Sequence, residues 1–119
     1  MSRGLDLATE LATGDPRGLL SRALKAGPLV IRVCGVSMRP WLEAGDEVRL
    51  ARRAPRRGDV ALVVVEGRLV LHRLVRARAG RWLVRGDARL RADGWVEDQA
   101  VLAVALARRR VRGAGKDWH

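Results

Sequence analysis

From Leu29 onward the chain breaks into short runs rich in Val and Leu, each closed by a glycine- or proline-containing turn, and this spacing leaves little room for helix. The runs are Leu29 to Val33, Glu47 to Ala51, Asp59 to Val65, Arg68 to Arg78, Arg81 to Arg85 and Val101 to Val111. Such runs suit pleated strands that bury at least one face. Glu66-Gly67 predicts a tight hairpin between the third and fourth runs, and Ala79-Gly80 one between the fourth and fifth. The fourth run alternates best, with Leu69, Leu71, Arg73 and Val75 on one face and Val70, His72, Leu74 and Arg76 on the other. His72 therefore shares a face with Val70 and Leu74.

The segment before Leu29 reads differently. Residues 5 to 26 predict helix, with Leu5, Leu7, Ala8 and Leu11 at helical spacing and a break at Thr13-Gly14. Asp15-Pro16 restarts it as an N-cap followed by proline at the first helical position, and Gly27-Pro28 ends it. Leu19, Leu20, Ala23 and Leu24 form the apolar side of this second helix. The segment is too short for a helix-turn-helix DNA reader. The expected fold is therefore mainly β with a short N-terminal helical segment, divided as 1–28 helical segment, 29–112 β domain and 113–119 flexible tail.

At 119 residues the chain suits one domain and one function. Tyr and Phe are absent, so packing rests on aliphatic side chains. The net charge of +11 comes almost wholly from arginine, since Lys25 and Lys116 are the only lysines. Such a surface attracts phosphate, anionic lipid or an acidic peptide, although arginine excess beside abundant Ala, Gly and Val also arises from coding bias. Cys34 is the only cysteine, which excludes an internal disulfide and a cysteine metal cluster. No metal or cofactor site is expected. The longest uncharged stretch of the β region, Gln99 to Ala107, is far short of the roughly 20 apolar residues of a membrane-spanning helix. The N-terminus carries Asp6 early and lacks the apolar core of a secretory signal. A soluble cytoplasmic protein is expected, with attachment to an anionic membrane surface left open.

Ser37 stands in the run Cys34-Gly35-Val36-Ser37-Met38-Arg39-Pro40, after a predicted strand and before a proline that disfavours helix. A serine hydroxyl is a weak nucleophile until a neighbouring base takes its proton. Gly35 leaves the backbone bare, so a substrate carbonyl could reach main-chain N–H groups near Ser37. His72 is the only histidine in the body of the chain, and neutral imidazole accepts a proton near neutral pH. Lys25 precedes the serine on a helix and Lys116 lies in the tail, so neither serves as the base. A carboxylate on the far imidazole nitrogen would fix the tautomer, and Asp87 and Asp93 both follow the fifth run. The competing readings are a serine that satisfies a turn, a structural histidine and aspartates that cap loops. Asp46 and Asp59, each after glycine, are assigned to turns.

Taken in order, Gly35-Val36-Ser37-Met38-Arg39-Pro40, Gly45-Asp46, Gly58-Asp59, Leu71-His72-Arg73-Leu74-Val75 and Gly86-Asp87 resemble the signal-peptidase and LexA-like clan of serine peptidases, over about Leu29 to Ala107. The base position holds histidine followed by arginine, which is similar to the endoplasmic-reticulum and archaeal type rather than the lysine type. The resemblance implies coiled antiparallel β-sheets, Ser37 as nucleophile, His72 as base, Asp93 as its partner and Asp87 as a supporting residue, with Gly35, Met38 and Pro40 lining the substrate approach. It implies a soluble, stand-alone endopeptidase that matures a protein or peptide substrate, since the chain carries neither the membrane anchor nor the DNA-binding domain of its better-known relatives. Two other classes compete: a non-catalytic module that holds an extended peptide on a strand edge, and a basic binder of nucleic acid or membrane surface. Nucleic acid ranks last, because few aromatic side chains are available for base stacking.

Overall fold

The computed structural model describes residues 4–6, 16–35 and 37–110. The fold is mainly β, with antiparallel strands curled into a half-barrel and one short helix near the N-terminus. In chain order the elements are β1 (Gly4–Asp6), α1 (Pro16–Lys25), β2 (Leu29–Arg32), β3 (Glu47–Ala51), β4 (Val60–Val65), β5 (Arg68–Arg78), β6 (Arg81–Arg85), β7 (Gly94–Glu97), a 3₁₀ turn (Asp98–Ala100) and β8 (Val101–Arg109). Their order across the sheet is β1-β2-β3-β8-β4-β5-β6-β7. The last strand thus lies in the middle, antiparallel to both β3 and β4.

Strands β4, β5 and β6 form a meander joined by two two-residue loops. Glu66 and Gly67 have φ of 48° and 78°, and Ala79 and Gly80 have 48° and 76°. Positive φ at both central positions is the type I′ turn, whose twist matches that of the strands it joins. The pairings run from Val65 with Arg68 to Val60 with Arg73, and from Arg78 with Arg81 to Arg73 with Arg85.

Two apolar cores form on the two faces of this sheet. Val60 and Leu62 of β4 join Leu20, Leu24, Ile31, Leu42, Leu50 and Leu71 in the first. Ala61 and Val63 join Leu74, Trp82, Val84 and Val104 in the second. Val60–Val65 is an unbroken apolar run because both of its faces are covered. Helix α1 covers the first core with Leu20 and Leu24, which are buried. No helix among the described residues is long and apolar enough to cross a membrane.

At the N-terminus the structure corrects the expectation. Residues 5 and 6 belong not to a helix but to β1, which lies parallel to β2 with Leu5 opposite Ile31. β2 would otherwise present an unpaired backbone edge, and three residues are enough to cover it. A helix needs several turns to repay its nucleation. The rest of that expected helix, residues 7–15 with the Thr13-Gly14 break and the Asp15 cap, lies outside the described residues, as does the 113–119 tail. Strand β7 was not expected. It is four residues long, begins with glycine and pairs with β6 alone, leaving no alternation to read.

Candidate active site

Ser37 sits on the loop between β2 and β3, and that loop is closed at its neck. The Val33 N–H donates to the Asp46 carbonyl at 2.8 Å and the Gly45 N–H to the Val33 carbonyl at 2.9 Å. Inside the neck, Met38 and Leu42 are buried in the first core and the Leu42 N–H donates to the Met38 carbonyl at 2.9 Å. Ser37 is thus carried next to a side chain that anchors the loop. Gly35 has φ of 96°, in the left-handed region that favours glycine, and an added Cβ there would meet open space.

His72 lies in the middle of β5 and is only 4% exposed. The Ser37 Oγ is 3.0 Å from its Nε2. Its Nδ1 is hydrogen-bonded to Asp93 Oδ2. An ionised carboxylate can only accept, so Nδ1 carries the proton and Nε2 is left to accept from the serine hydroxyl. This is the tautomer a base for Ser37 requires. Asp93 is held by its own backbone, whose N–H donates to the Val84 carbonyl at 2.7 Å.

The segment from Gly86 to Asp93 grips both partners. Gly86 packs against Ser37, the Ala88 N–H donates to the Ser37 carbonyl at 2.8 Å, and Asp93 takes His72. A Cβ on Gly86 would lie 2.6 Å from the Ser37 carbonyl oxygen and 3.2 Å from His72 Nε2. Glycine is required there by space, not by backbone conformation.

Asp87 is placed apart from His72. Its two carboxylate oxygens accept from Arg73 Nε and Nη2, each at 2.7 Å, while its N–H points to the Met38 sulfur at 3.3 Å. The Arg73 Nη1 donates to the Gly58 carbonyl at 2.8 Å, and its guanidinium lies 5.8 Å from the Trp41 ring. Arg73 therefore joins the strand of His72, the loop of Ser37, the Gly86 segment and the start of β4. Its hydrogen bonds to Asp87, and then the charge of that carboxylate, raise its pKa above the ordinary value against the opposing effect of partial burial.

The loop is stapled from the other side by β8. The Arg108 guanidinium donates to the Trp41 carbonyl and stands 5.3 Å from its ring, so Trp41 is held by two cations. Arg109 Nε donates to Glu47 Oε1 at 2.8 Å, and Arg110 lies 3.2 Å from Asp46 Oδ2. Asp46 and Asp59 do cap turns, accepting from the Glu43 and Arg56 N–H groups at 2.8 and 2.7 Å.

A cavity of about 90 Å³ opens beside Ser37, lined by Val33, Cys34, Gly35, Met38, Leu69 and Leu71 among others. Gly35 and Met38 are among its lining residues, whereas Pro40 is not and is exposed. Among the described residues no group of three or more His, Cys, Asp or Glu side chains could hold a metal ion.

The structure thus brings Ser37, His72 and Asp93 together and sets Asp87 on Arg73. Sequence reasoning did not single out Trp41 or Arg108, and it named Gly86 and Arg73 only as parts of the resembling motifs, with no role of their own. Arg73 did carry a signal, a charge on the same strand face as Leu69 and Leu71, where burial demands a partner. Compared with family models and with curated proteins, the sequence matches none of them.

Proposed function

We propose that the protein is a serine endopeptidase of the signal-peptidase type, with Ser37 as nucleophile, His72 as general base and Asp93 as the group that orients the imidazole. One observation carries this reading. Residues 35 and 21 positions apart in sequence converge in the single hydrogen-bonded series Ser37–His72–Asp93. A turn serine or a core histidine needs no such alignment.

In the first step the Ser37 oxygen attacks a peptide carbonyl carbon as its proton passes to His72 Nε2. The imidazolium then gives that proton to the leaving amine as the C–N bond breaks, leaving an ester on Ser37. Water, deprotonated by His72 in turn, releases the acid product. The adjoining apolar cavity of about 90 Å³ suits a small aliphatic side chain next to the cleaved bond.

The test is cleavage of a mixed decapeptide library followed by mass spectrometry. The wild-type protein is expected to cut it, and Ser37→Ala and His72→Ala are expected to leave it intact. Products that persist with Ser37→Ala would sink the reading.

A further inference from the structure

A second cavity lies away from Ser37, at the C-terminal end of α1, the exit of β3 and the start of β8. It measures about 640 Å³, and its lining includes Ser21, Lys25, Arg52, Arg53 and Gln99. Three of these side chains are cations. Lys25 and Arg52 have no ion-pair partner among the described residues, and both are exposed. Arg53 is fixed by Asp59, whose two carboxylate oxygens accept from its guanidinium at 3.1 and 3.2 Å. The lining contains one carboxylate, Asp98, and its Oδ1 already accepts from the Trp82 indole N–H at 2.9 Å. Arg56 and Arg57, exposed on the same β3–β4 connection, add to the positive field.

The chemistry of this lining selects among anionic ligands. No aromatic side chain lines the cleft, so it offers no stacking surface for nucleic-acid bases. Its concave shape and donor set, with a hydroxyl and an amide beside the cations, suit carboxylates presented by an extended chain better than the flat headgroup plane of a membrane. We propose that this cleft is a docking site for an acidic stretch of the peptide substrate, so that Lys25, Arg52 and Arg53 hold the substrate at a place separate from the cleaved bond. The identification of the occupant as substrate rests on the endopeptidase reading above.

The site is tested on the Ser37→Ala protein, so that binding is read without cleavage. Fluorescence anisotropy with a fluorescein-labelled hexaglutamate peptide is compared for two further double variants, Lys25→Gln/Arg52→Gln in the cleft and Arg76→Gln/Arg78→Gln on exposed β5. Both remove the same charge. The cleft pair is expected to weaken binding about tenfold and the β5 pair less than about twofold. Equal weakening would mean that the probe responds to total charge alone and would overturn the site. Tighter binding of an oligothymidylate with the same sensitivity to the cleft pair would overturn it in favour of nucleic acid. With Ser37 restored, an acidic stretch added to a cleaved peptide should lower KM, leave kcat unchanged, and lose its effect in Lys25→Gln/Arg52→Gln. If no peptide is cut while hexaglutamate binding keeps its dependence on the cleft, the endopeptidase reading fails and the anion site stands. If peptides are cut but the cleft pair changes neither binding nor KM, the docking proposal fails alone.

Discussion

A methyl group at position 86 would press on the Ser37 carbonyl and on the His72 ring at once, with no flexible chain end to give way. Gly86→Ala should therefore push the Ser37 hydroxyl and the His72 ring apart. The expected loss in kcat is about 100-fold, the scale of an ångström's misplacement, with a stability cost of roughly 1–3 kcal/mol from overpacking. Steady-state kinetics and thermal unfolding separate the two, and an active Gly86→Ala would show that the contact is not needed for alignment. Asp93→Asn tests the tautomer. An amide lacks the negative charge and can turn an N–H donor toward Nδ1, so the proton is no longer held there, and kcat should fall about 10³- to 10⁴-fold while the fold persists. Asp87 belongs to a different role. Asp87→Asn breaks charged hydrogen bonds to Arg73, costing about 1.5–3 kcal/mol, and it should lower the melting temperature more than Asp93→Asn does. Arg73, its pKa raised by Asp87, stays a cation at every pH usable for an assay.

Among the elements, the helix and the Ser37 loop make opposite demands. Helix α1 seats Leu20 and Leu24 in the first core and supplies no residue to the Ser37–His72–Asp93 hydrogen bonds. Leu20→Ala should cost about 2–5 kcal/mol of stability and leave kcat of the folded protein within about twofold, the two being measured by denaturant unfolding and peptide cleavage. The loop is fixed by Arg73 and Arg108 on either side of Trp41, and this arrangement was invisible in sequence. Arginines 108 to 110 read as part of a general basic excess, and nothing local marks them as partners of residues more than 60 positions away. By contrast, the β4–β5–β6 meander was legible almost to the residue. Its turn pairs and its alternation are local, and each strand pairs with the next one in sequence. β7 escaped because a four-residue edge strand has too short a period to detect.

At the scale of the whole molecule the dominant quantity is the charge of +11, which opposes compactness by self-repulsion. Raising sodium chloride from about 20 mM to about 300 mM shortens the Debye length from tens of ångströms to a few, and the melting temperature should rise by a few degrees. A fall would show that ion pairs such as Arg73–Asp87 and Arg109–Glu47 outweigh the repulsion. The sequence by itself determined the mainly β fold, most strand limits, the end of the helix before Gly27 and the short set of candidates for the proposed site. These follow from periodicity, turn conformation and a scarcity of bases, all of which are written locally. Only the tertiary structure decided that β8 enters the centre of the sheet, that Asp93 faces His72 while Asp87 faces Arg73, and that Gly86 must be bare. The reason is physical: hydrogen bonds and steric limits between distant segments exist only once the sheet has curled and the loops have met.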